Sequence, residues 1–320
     1  MASTTANTEI LRLQSVSNLL NGYLALVVLV VGTVGNLLNI LVFIRIKTFH
    51  QMPSSIFLFT SFASSIVLVW TGRFPQALVI VSGIDIAAAS AFFCALRTVL
   101  GRISQNLALL CIGLVSIDRF LMTCRTGRYR QLLTKRKAVI IVTILFLIYL
   151  AISIEDAITY YSAPLCRSPV APFVYTQFVS YFSWVVTFGL PLIILTIFSL
   201  LTWRNLRVSI PGRRNHLQEQ VNRMMFAQFA LMFLSTLPIV VMRVYRLCTD
   251  WQKKSALQTA QETLAFNLAT TVGYASPIGS FYLYFLVSAV FRQNVRTVLC
   301  CKHPIRVLPL SNRTPNIATK

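Results

Sequence analysis

The chain has 320 residues, of which 56% are hydrophobic and only 12% are charged, and its mean hydropathy is +0.70. This composition is typical of a multi-pass membrane protein and argues against a soluble enzyme. The 29 lysines and arginines exceed eight acids and give a net charge of +21, but they lie between the apolar stretches, so no nucleic-acid partner is indicated. The seven cysteines and three histidines form no metal-binding pattern, and no cofactor is expected.

Seven apolar stretches are long enough to cross a membrane, because about 20 apolar helical residues span a hydrocarbon layer about 30 Å thick. They are Leu19–Ile44, Ser54–Ile80, Cys94–Ile117, Ala138–Ile158, Val174–Leu201, Met224–Val244 and Thr263–Val287. The pattern predicts an all-α membrane protein with a seven-transmembrane helix bundle. The third stretch contains Arg97 and Arg102, which is tolerable if that end lies near the surface or faces a wet cavity.

The distribution of basic residues predicts the orientation of the chain. Twenty of the 29 lysines and arginines lie on the side that holds the carboxyl terminus, and nine lie on the other side. The positive-inside rule therefore places the amino terminus outside the plasma membrane and the carboxyl terminus in the cytoplasm, where the basic side faces anionic membrane lipid. The first 17 residues lack the features of a signal peptide, so no cleavage is expected.

Four regions follow from this reading of the sequence. We expect an extracellular tail at 1–18, a transmembrane domain at 19–290, an amphipathic helix at 291–301 and a cytoplasmic tail at 302–320. In the amphipathic helix the apolar residues recur at helical spacing from Phe291, opposite Arg292 and Arg296, as in a helix that lies on a membrane surface.

Short motifs accompany the seven stretches. Gly35-Asn36 lies in the first stretch, and Asp118-Arg119-Phe120 ends the third. Cys94 precedes Arg119 by 25 residues, which at 1.5 Å per residue places them about 37 Å apart, at opposite membrane faces. Pro191 and Pro238 each remove a backbone hydrogen bond within a membrane helix.

Together these motifs resemble the rhodopsin-like (class A) G-protein-coupled receptors, particularly peptide receptors, from the first stretch to Cys301. The resemblance implies that Asn36 hydrogen-bonds neighbouring helices and that Pro191, Pro238 and Pro277 shape them. It also implies that Asp118, beside Phe120 in a variant of the DRY motif, holds Arg119 until the arginine meets a heterotrimeric G protein.

The cysteines are interpreted through the same resemblance. Cys94 is expected to form a disulfide with Cys166, which pins a loop over the pocket mouth. Cys248 is left over, and it is free, intermolecular or a sign that this pairing is wrong. Cys300 and Cys301 end the amphipathic helix and are predicted to carry acyl chains.

Two motifs depart from the family pattern. Ser235-Thr236-Leu237-Pro238 stands where a Cys-Trp-x-Pro element is usual, so the tryptophan switch is absent. If Pro277 is taken as the proline of the NPxxY element, Phe291 lies about one turn too far away. A shift of one turn makes the segment from Ser280 to Tyr284 the variant element, with Phe291 seven residues after Tyr284.

The resemblance also excludes some ligands. Gly101 stands where amine receptors have an aspartate, and Tyr274 stands where opsins have the retinal-binding lysine. Ser65 replaces the acid of the family's sodium site, so sodium modulation is expected to be missing. These positions favour neither an amine, nor retinal, nor a bound metal.

Arginines dominate the predicted ligand-binding region. Arg73 and Arg246 are expected to extend to lipid headgroups. Arg102 and Arg243 are deeper, and we expect both to flank one cavity and to bind a carboxylate. The residues predicted to bind the ligand are Arg97, Gly101, Arg102, Gln105, Arg243, Phe266 and Tyr274.

The favoured function is a receptor that couples an extracellular ligand, a short peptide with an anionic group or another small ligand, to heterotrimeric G proteins. One alternative is a small anion transporter or channel that uses the same arginines. Another is a receptor-like membrane protein that no longer signals. No convergence of nucleophile, base and orienting group supports an enzyme.

Overall fold

The computed structural model describes residues 2–45, 52–124, 126–161, 182, 185–208, 216–249 and 251–300. All regular elements within these ranges are helical. They are α1 (Ala2–Arg45), α2 (Ser54–Gly72), α3 (Phe74–Ser82), α4 (Ile86–Ala89), α5 (Ala91–Thr123), α6 (Gly127–Arg130), α7 (Lys135–Tyr161), a π-helical turn (Val185–Gly189), α8 (Leu190–Val208), α9 (His216–Thr249), α10 (Ala256–Gly273), α11 (Ala275–Val287) and α12 (Ala289–Leu299).

These helices form the predicted seven-segment membrane bundle. The first six segments are long and apolar enough to cross a membrane, and the apolar helix α11 completes the seventh together with α10. Segments one, three, four and six are α1, α5, α7 and α9. Segment two combines α2 with α3, segment five combines the π-helical turn with α8, and segment seven combines α10 with α11. The predicted fold class is therefore confirmed.

Helix α1 is longer than its apolar stretch. It begins at Ala2, so residues 2–18, predicted to be a tail, continue the helix of segment one. Apolar side chains such as Leu11 and Val16 occur in this part, and Ser17 is buried. The end of the bundle where α1 begins is called the amino-terminal end below, and the end that carries α12 is called the carboxyl-terminal end.

Prolines explain the interruptions in segments two and seven. Pro75 has no N–H to donate to the carbonyl of Thr71, and Pro277 has none for Gly273, so one helix ends and another begins in each segment. Arg73 and Tyr274 are the residues at the two interruptions. In segment five the π-helical turn directly precedes Pro191, whereas Pro238 lies inside the continuous helix α9.

Segment three is the centre of the bundle. It packs against segments two, four and five, and 72% of its most apolar window is buried, compared with 17% for segment four. Segment four therefore presents most of its apolar surface to the membrane. Arg97 and Arg102, the two arginines in the apolar stretch of segment three, therefore lie on the central helix.

Helix α12 is fixed to the carboxyl-terminal end of the bundle. The Ser288 hydroxyl accepts a hydrogen bond from the backbone N–H of Phe291, which caps the helix. Phe291 is fully buried and Val295 nearly so, in a cluster with Phe43, Phe62 and Tyr284 of segments one, two and seven. Arg292 donates to the backbone carbonyls at the end of segment seven. The observed helix spans 289–299, close to the predicted 291–301.

Candidate functional site

A cavity of about 350 Å³ opens within the amino-terminal half of the bundle. Residues of segments two, three, five and seven line it: Leu68, Thr71, Gly72, Gln76, Arg97, Thr98, Gly101, Arg102, Gln105, Thr187, Phe188 and Tyr274. Five of the seven residues predicted to bind the ligand are therefore brought together, namely Arg97, Gly101, Arg102, Gln105 and Tyr274. The volume is at the lower end of the range for small-molecule pockets, roughly 300 to 1,000 Å³.

Helical spacing places the cationic residues on the cavity side of α5. Arg97, Gly101 and Gln105 follow one another at intervals of four, and Arg102 is adjacent to Gly101 on the same face. Both arginine side chains are half-buried. No acid is among the described residues that line the cavity. The lining therefore contains two guanidinium groups, the groups with which proteins commonly bind carboxylates and phosphates.

Arg243 and Phe266 do not line this cavity. The Arg243 guanidinium lies 4.7 Å from the centre of the Phe266 ring, and the Arg246 guanidinium lies 4.0 Å from it. These distances are those of cation–π contacts, which bind segment six to segment seven. Arg102 lines the cavity, whereas Arg243 contacts Phe266, and the prediction that the two arginines flank one cavity and bind a carboxylate stays a prediction.

Arg73 corrects a second prediction, that this residue extends to lipid headgroups. Only 2% of Arg73 is exposed, and it lies inside the bundle at the interruption of segment two. Its guanidinium donates to Asn21, Gln76 and Thr271 at 2.8, 2.8 and 2.9 Å. The Tyr274 ring lies 4.3 Å from the guanidinium carbon. Pro75, two residues later, is a sequence signal for the helix interruption, and the inward direction of the Arg73 side chain is set by the packing of segments one, two and seven.

The base of the cavity is linked to segment five. Thr187 belongs to the π-helical turn, and its hydroxyl donates to the buried Asn106 amide oxygen at 2.9 Å. The Asn106 amide in turn donates to the Arg102 carbonyl at 2.9 Å. Two hydrogen bonds therefore connect the backbone of Arg102 to the irregular turn of segment five. Sequence reasoning missed this pair, because a single asparagine in a membrane helix has no periodic signature.

At the carboxyl-terminal end, Asp118 and Arg119 form a buried ion pair. Arg119 Nη2 lies 2.9 Å from Asp118 Oδ2, and the same nitrogen donates to the hydroxyl of Ser54 at the start of segment two. Asp118 is 2% exposed and Arg119 is 5% exposed. The arginine is therefore held by its neighbouring acid and by segment two, a tie that the sequence did not indicate.

Arg119 and Tyr284 line one small cavity. This space of about 20 Å³ lies among segments one, two, three, six and seven, with Ser54, Met224 and Met225 in its wall. It is about the size needed for one water molecule. The structure thus brings together Arg119 and the tyrosine of the variant seventh-segment element, while Phe120 points toward segment five and packs on Phe198 with ring centres 5.5 Å apart.

Two asparagines connect segment one to segment seven. Asn36 donates to the Pro277 carbonyl at 3.0 Å, and Asn39 donates to the Ser280 hydroxyl at 2.9 Å. Both asparagines are fully buried. Asn36 thus contacts a neighbouring helix in the manner that the resemblance implies. Asn39, which lies one turn later, was missed although its spacing from Asn36 places both amides on adjacent positions of one face.

The predicted disulfide falls partly outside the described residues. Cys94 is fully buried near the start of α5, and Cys166 lies outside the described part of the chain. Cys248 is exposed and free. Cys300 is exposed and free at the end of α12, while Cys301 is not described. The described residues contain no group of histidines, cysteines or acids that could hold a metal ion.

Comparison with known proteins gives one clear match. The family described as the seven-transmembrane receptors of the rhodopsin family matches residues 35–278, about three quarters of the chain. The match begins at Gly35 of the first-segment motif and ends just after Pro277, before the variant element from Ser280 to Tyr284. No curated protein sequence matches the chain.

Proposed function

The chain belongs to the rhodopsin family of seven-transmembrane receptors, and from this premise we propose that it couples an extracellular anionic ligand to heterotrimeric G proteins. It is a multi-pass membrane receptor and not an enzyme, as the family match implies. The observation that carries the proposal is the layout of segment three. Arg102 lines the larger cavity and Arg119 forms the ion pair at the other end of the same helix, 17 residues or about 25 Å away.

The ligand cavity supports an anionic group. The sequence analysis expected a carboxylate to bind between Arg102 and Arg243. In the proposal it binds between Arg97 and Arg102, because these two arginines line the cavity from one helix face. A carboxylate between them forms charge-assisted hydrogen bonds, and Gln76 and Gln105 supply further donors. A short peptide fits the proposal if its free carboxyl group enters the cavity and the rest of the peptide remains near the mouth.

Coupling is proposed to occur at Arg119. In the structure its guanidinium is occupied by Asp118 and Ser54, beside the closed cavity that Tyr284 lines. A G protein that binds at this end must release Arg119 from these partners. Ligand binding then favours the released arrangement by population shift, through segments three, five and seven. The two variant motifs, Ser235–Pro238 and Ser280–Tyr284, contain only neutral residues, and these residues do not take part in the Asp118–Arg119 ion pair.

The proposal includes the membrane orientation, the acylation and the disulfide that the sequence predicts. The amino terminus is outside, which places the larger cavity toward the exterior, and acyl chains on Cys300 and Cys301 attach α12 to the membrane. A Cys94–Cys166 disulfide is supported by the free state of Cys248 and by the disulfide-bonded state of Cys94. Non-reducing peptide mapping tests it, and a bond from Cys94 to Cys248 contradicts it.

The deciding experiment measures ligand-stimulated nucleotide exchange on purified G protein. Peptide fractions are screened against membranes that contain the full chain, and the active component is tested before and after esterification of its acids. We expect esterification to abolish stimulation. Arg102→Gln should weaken binding by roughly 2 to 5 kcal/mol, the range for loss of one partner of a buried charge pair.

Arg119→Ala separates coupling from binding. We expect ligand affinity to be retained, because Arg119 lies at the other end of the helix, while nucleotide exchange is lost. Arg12→Gln is the control for charge, since Arg12 is exposed on α1 and lines neither cavity. Stimulation of exchange by the Arg119→Ala receptor, or equal activity of an esterified ligand, contradicts the proposal.

A further inference from the structure

Arg73 is the most deeply buried arginine near the larger cavity, and its described partners are all neutral. The guanidinium donates to the oxygens of Asn21, Gln76 and Thr271, and its Nε is buried without a hydrogen-bond acceptor. Three neutral dipoles stabilise the cation only in part, because a buried guanidinium is fully balanced by a negative charge. The positive charge of Arg73 is thus only partly compensated inside the bundle.

The partners of Arg73 form the wall of the cavity. Gln76 accepts its hydrogen bond, Tyr274 stacks on its guanidinium, and both residues line the cavity. Gly72, next to Arg73, also lines the cavity, and a side chain there would overlap the Tyr274 hydroxyl. The two chain interruptions of segments two and seven therefore interlock through Arg73 and Tyr274, with Tyr274 in the cavity wall and Arg73 behind it.

We infer that Arg73 determines ligand specificity from behind the cavity wall: its charge is completed by the anion that binds between Arg97 and Arg102. The inference rests on the proposed ligand site and names a residue that does not touch the ligand itself. Arg73 acts as a third positive charge, and its contacts with Gln76 and Tyr274 hold the guanidinium behind the cavity wall. A carboxylate group is the shared chemistry, whether it comes from a small dicarboxylic acid or from the free end of a peptide.

The magnitude of the charge effect is large enough to measure. A unit charge about 12 Å from an anion, at an effective dielectric constant of about 20, changes a binding constant by about tenfold. Removal of the charge should therefore weaken carboxylate binding about tenfold and leave a neutral analogue unaffected. A purely structural tie predicts a different result, because loss of the hydrogen bonds would affect charged and neutral probes alike.

The experiment uses the full chain, purified in phosphatidylcholine nanodiscs, with thermal unfolding as the binding readout. The probes are succinate, with succinamide as its neutral counterpart, and the tripeptide Gly-Gly-Phe with a free or an amidated carboxyl end. Arg73→Lys keeps the charge and Arg73→Met removes it, while Arg12→Met removes an exposed charge as a matched control. If Arg73→Met does not fold, Arg73→Gln replaces it with the same expectation.

We expect a carboxylate probe to stabilise the native chain, Arg73→Met to weaken that binding about tenfold, and Arg73→Lys to bind within about threefold of native. Preference for succinate or for the free tripeptide identifies the source of the carboxylate. Native affinity in Arg73→Met, or equal losses in the Lys and Met variants, contradicts the role of Arg73 but not the anion site itself. Absence of carboxylate binding to the native chain overturns the anion site as well, whereas binding without nucleotide exchange counts only against the proposed transduction.

Discussion

The two ends of the bundle each bury an arginine, and they balance its charge in different ways. Arg119 has Asp118 at 2.9 Å, and the adjacent cavity of about 20 Å³ is about the size of one water molecule. Arg73 has three neutral acceptors and an aromatic ring, beside a cavity of about 350 Å³ with two further arginines in its wall. The described partners of Arg119 thus include an acid, whereas the described partners of Arg73 are neutral.

This difference indicates where the molecule responds to its surroundings. At the carboxyl-terminal end, release of Arg119 has to break its ion pair with Asp118, and the separation of two buried charges costs free energy. At the amino-terminal end, the proposed function adds an anionic ligand to the positive charges of the cavity wall, and binding of that ligand is expected to stabilise the bundle. Four changes test this contrast, and they are taken in order of decreasing expected effect.

The largest effect is expected for Asp118→Asn. It leaves Arg119 buried without its acid, and removal of one partner of a buried pair destabilises a protein by about 3 to 5 kcal/mol. The variant should unfold at a lower temperature and show higher ligand-independent nucleotide exchange, because Arg119 is released. Asp118→Glu, which keeps the charge, should lose less stability. An unchanged unfolding temperature in Asp118→Asn would show that the ion pair does not stabilise the carboxyl-terminal end of the bundle.

Gly72→Ala should produce the next largest effect. The added Cβ overlaps the Tyr274 hydroxyl, and such overpacking destabilises by about 1 to 3 kcal/mol. Gly273→Ala, beside the other interruption, is the control, because its nearest contact is the Ser235 carbonyl oxygen at 3.9 Å. Thermal unfolding of the two variants and of Gly72→Ala combined with Tyr274→Phe measures the interlock. Equal stabilities of the two alanine variants would contradict it.

Asn36→Leu should have a smaller effect. It removes the hydrogen bond to the Pro277 carbonyl, and a typical hydrogen bond contributes about 0.5 to 1.5 kcal/mol. Leucine is similar in size to asparagine and leaves little cavity at this fully buried position, which limits the loss. Chemical unfolding of this variant beside Asn39→Leu compares the two links from segment one to segment seven. A loss above about 3 kcal/mol would mean that Asn36 supports more than this bond.

The smallest effect concerns Glu262, in the first turns of α10 before the apolar stretch that begins at Thr263. Hydrogen bonds from Lys254 at 2.6 Å and from Tyr245 at 3.0 Å lower the pKa of Glu262 below its ordinary value of 4.5. Because the pKa is lower in the folded chain, this stabilisation is present above about pH 4.5 and is lost as the pH falls through the folded value.

The magnitude should be below about 1 kcal/mol, as for other ion pairs near a surface. Unfolding temperatures of the native chain and of Glu262→Gln, compared between about pH 6 and about pH 3, measure it. The difference between the two proteins should vanish at the acidic end. A difference that grows as the pH falls would show that another group is responsible.

The sequence by itself determined the seven membrane segments, the Asp118–Arg119 pair and the cationic face of segment three. Each depends on local spacing: about 20 apolar residues for a span, neighbouring positions for the ion pair, and intervals of four for Arg97, Gly101 and Gln105. The amphipathic pattern from Phe291 similarly anticipated α12, which packs Phe291 and Val295 into the bundle.

Only the tertiary structure decided how the helices are rotated against one another. Arg73 and Arg243 both lie near the ends of apolar stretches, yet one is buried against Tyr274, about 200 residues away in the chain, and the other stacks on Phe266. Likewise, Asn36 meets Pro277 across 241 positions. The apolar membrane stretches have little helical periodicity, because lipid and core both accept apolar side chains, so the inward face of each helix is set by packing.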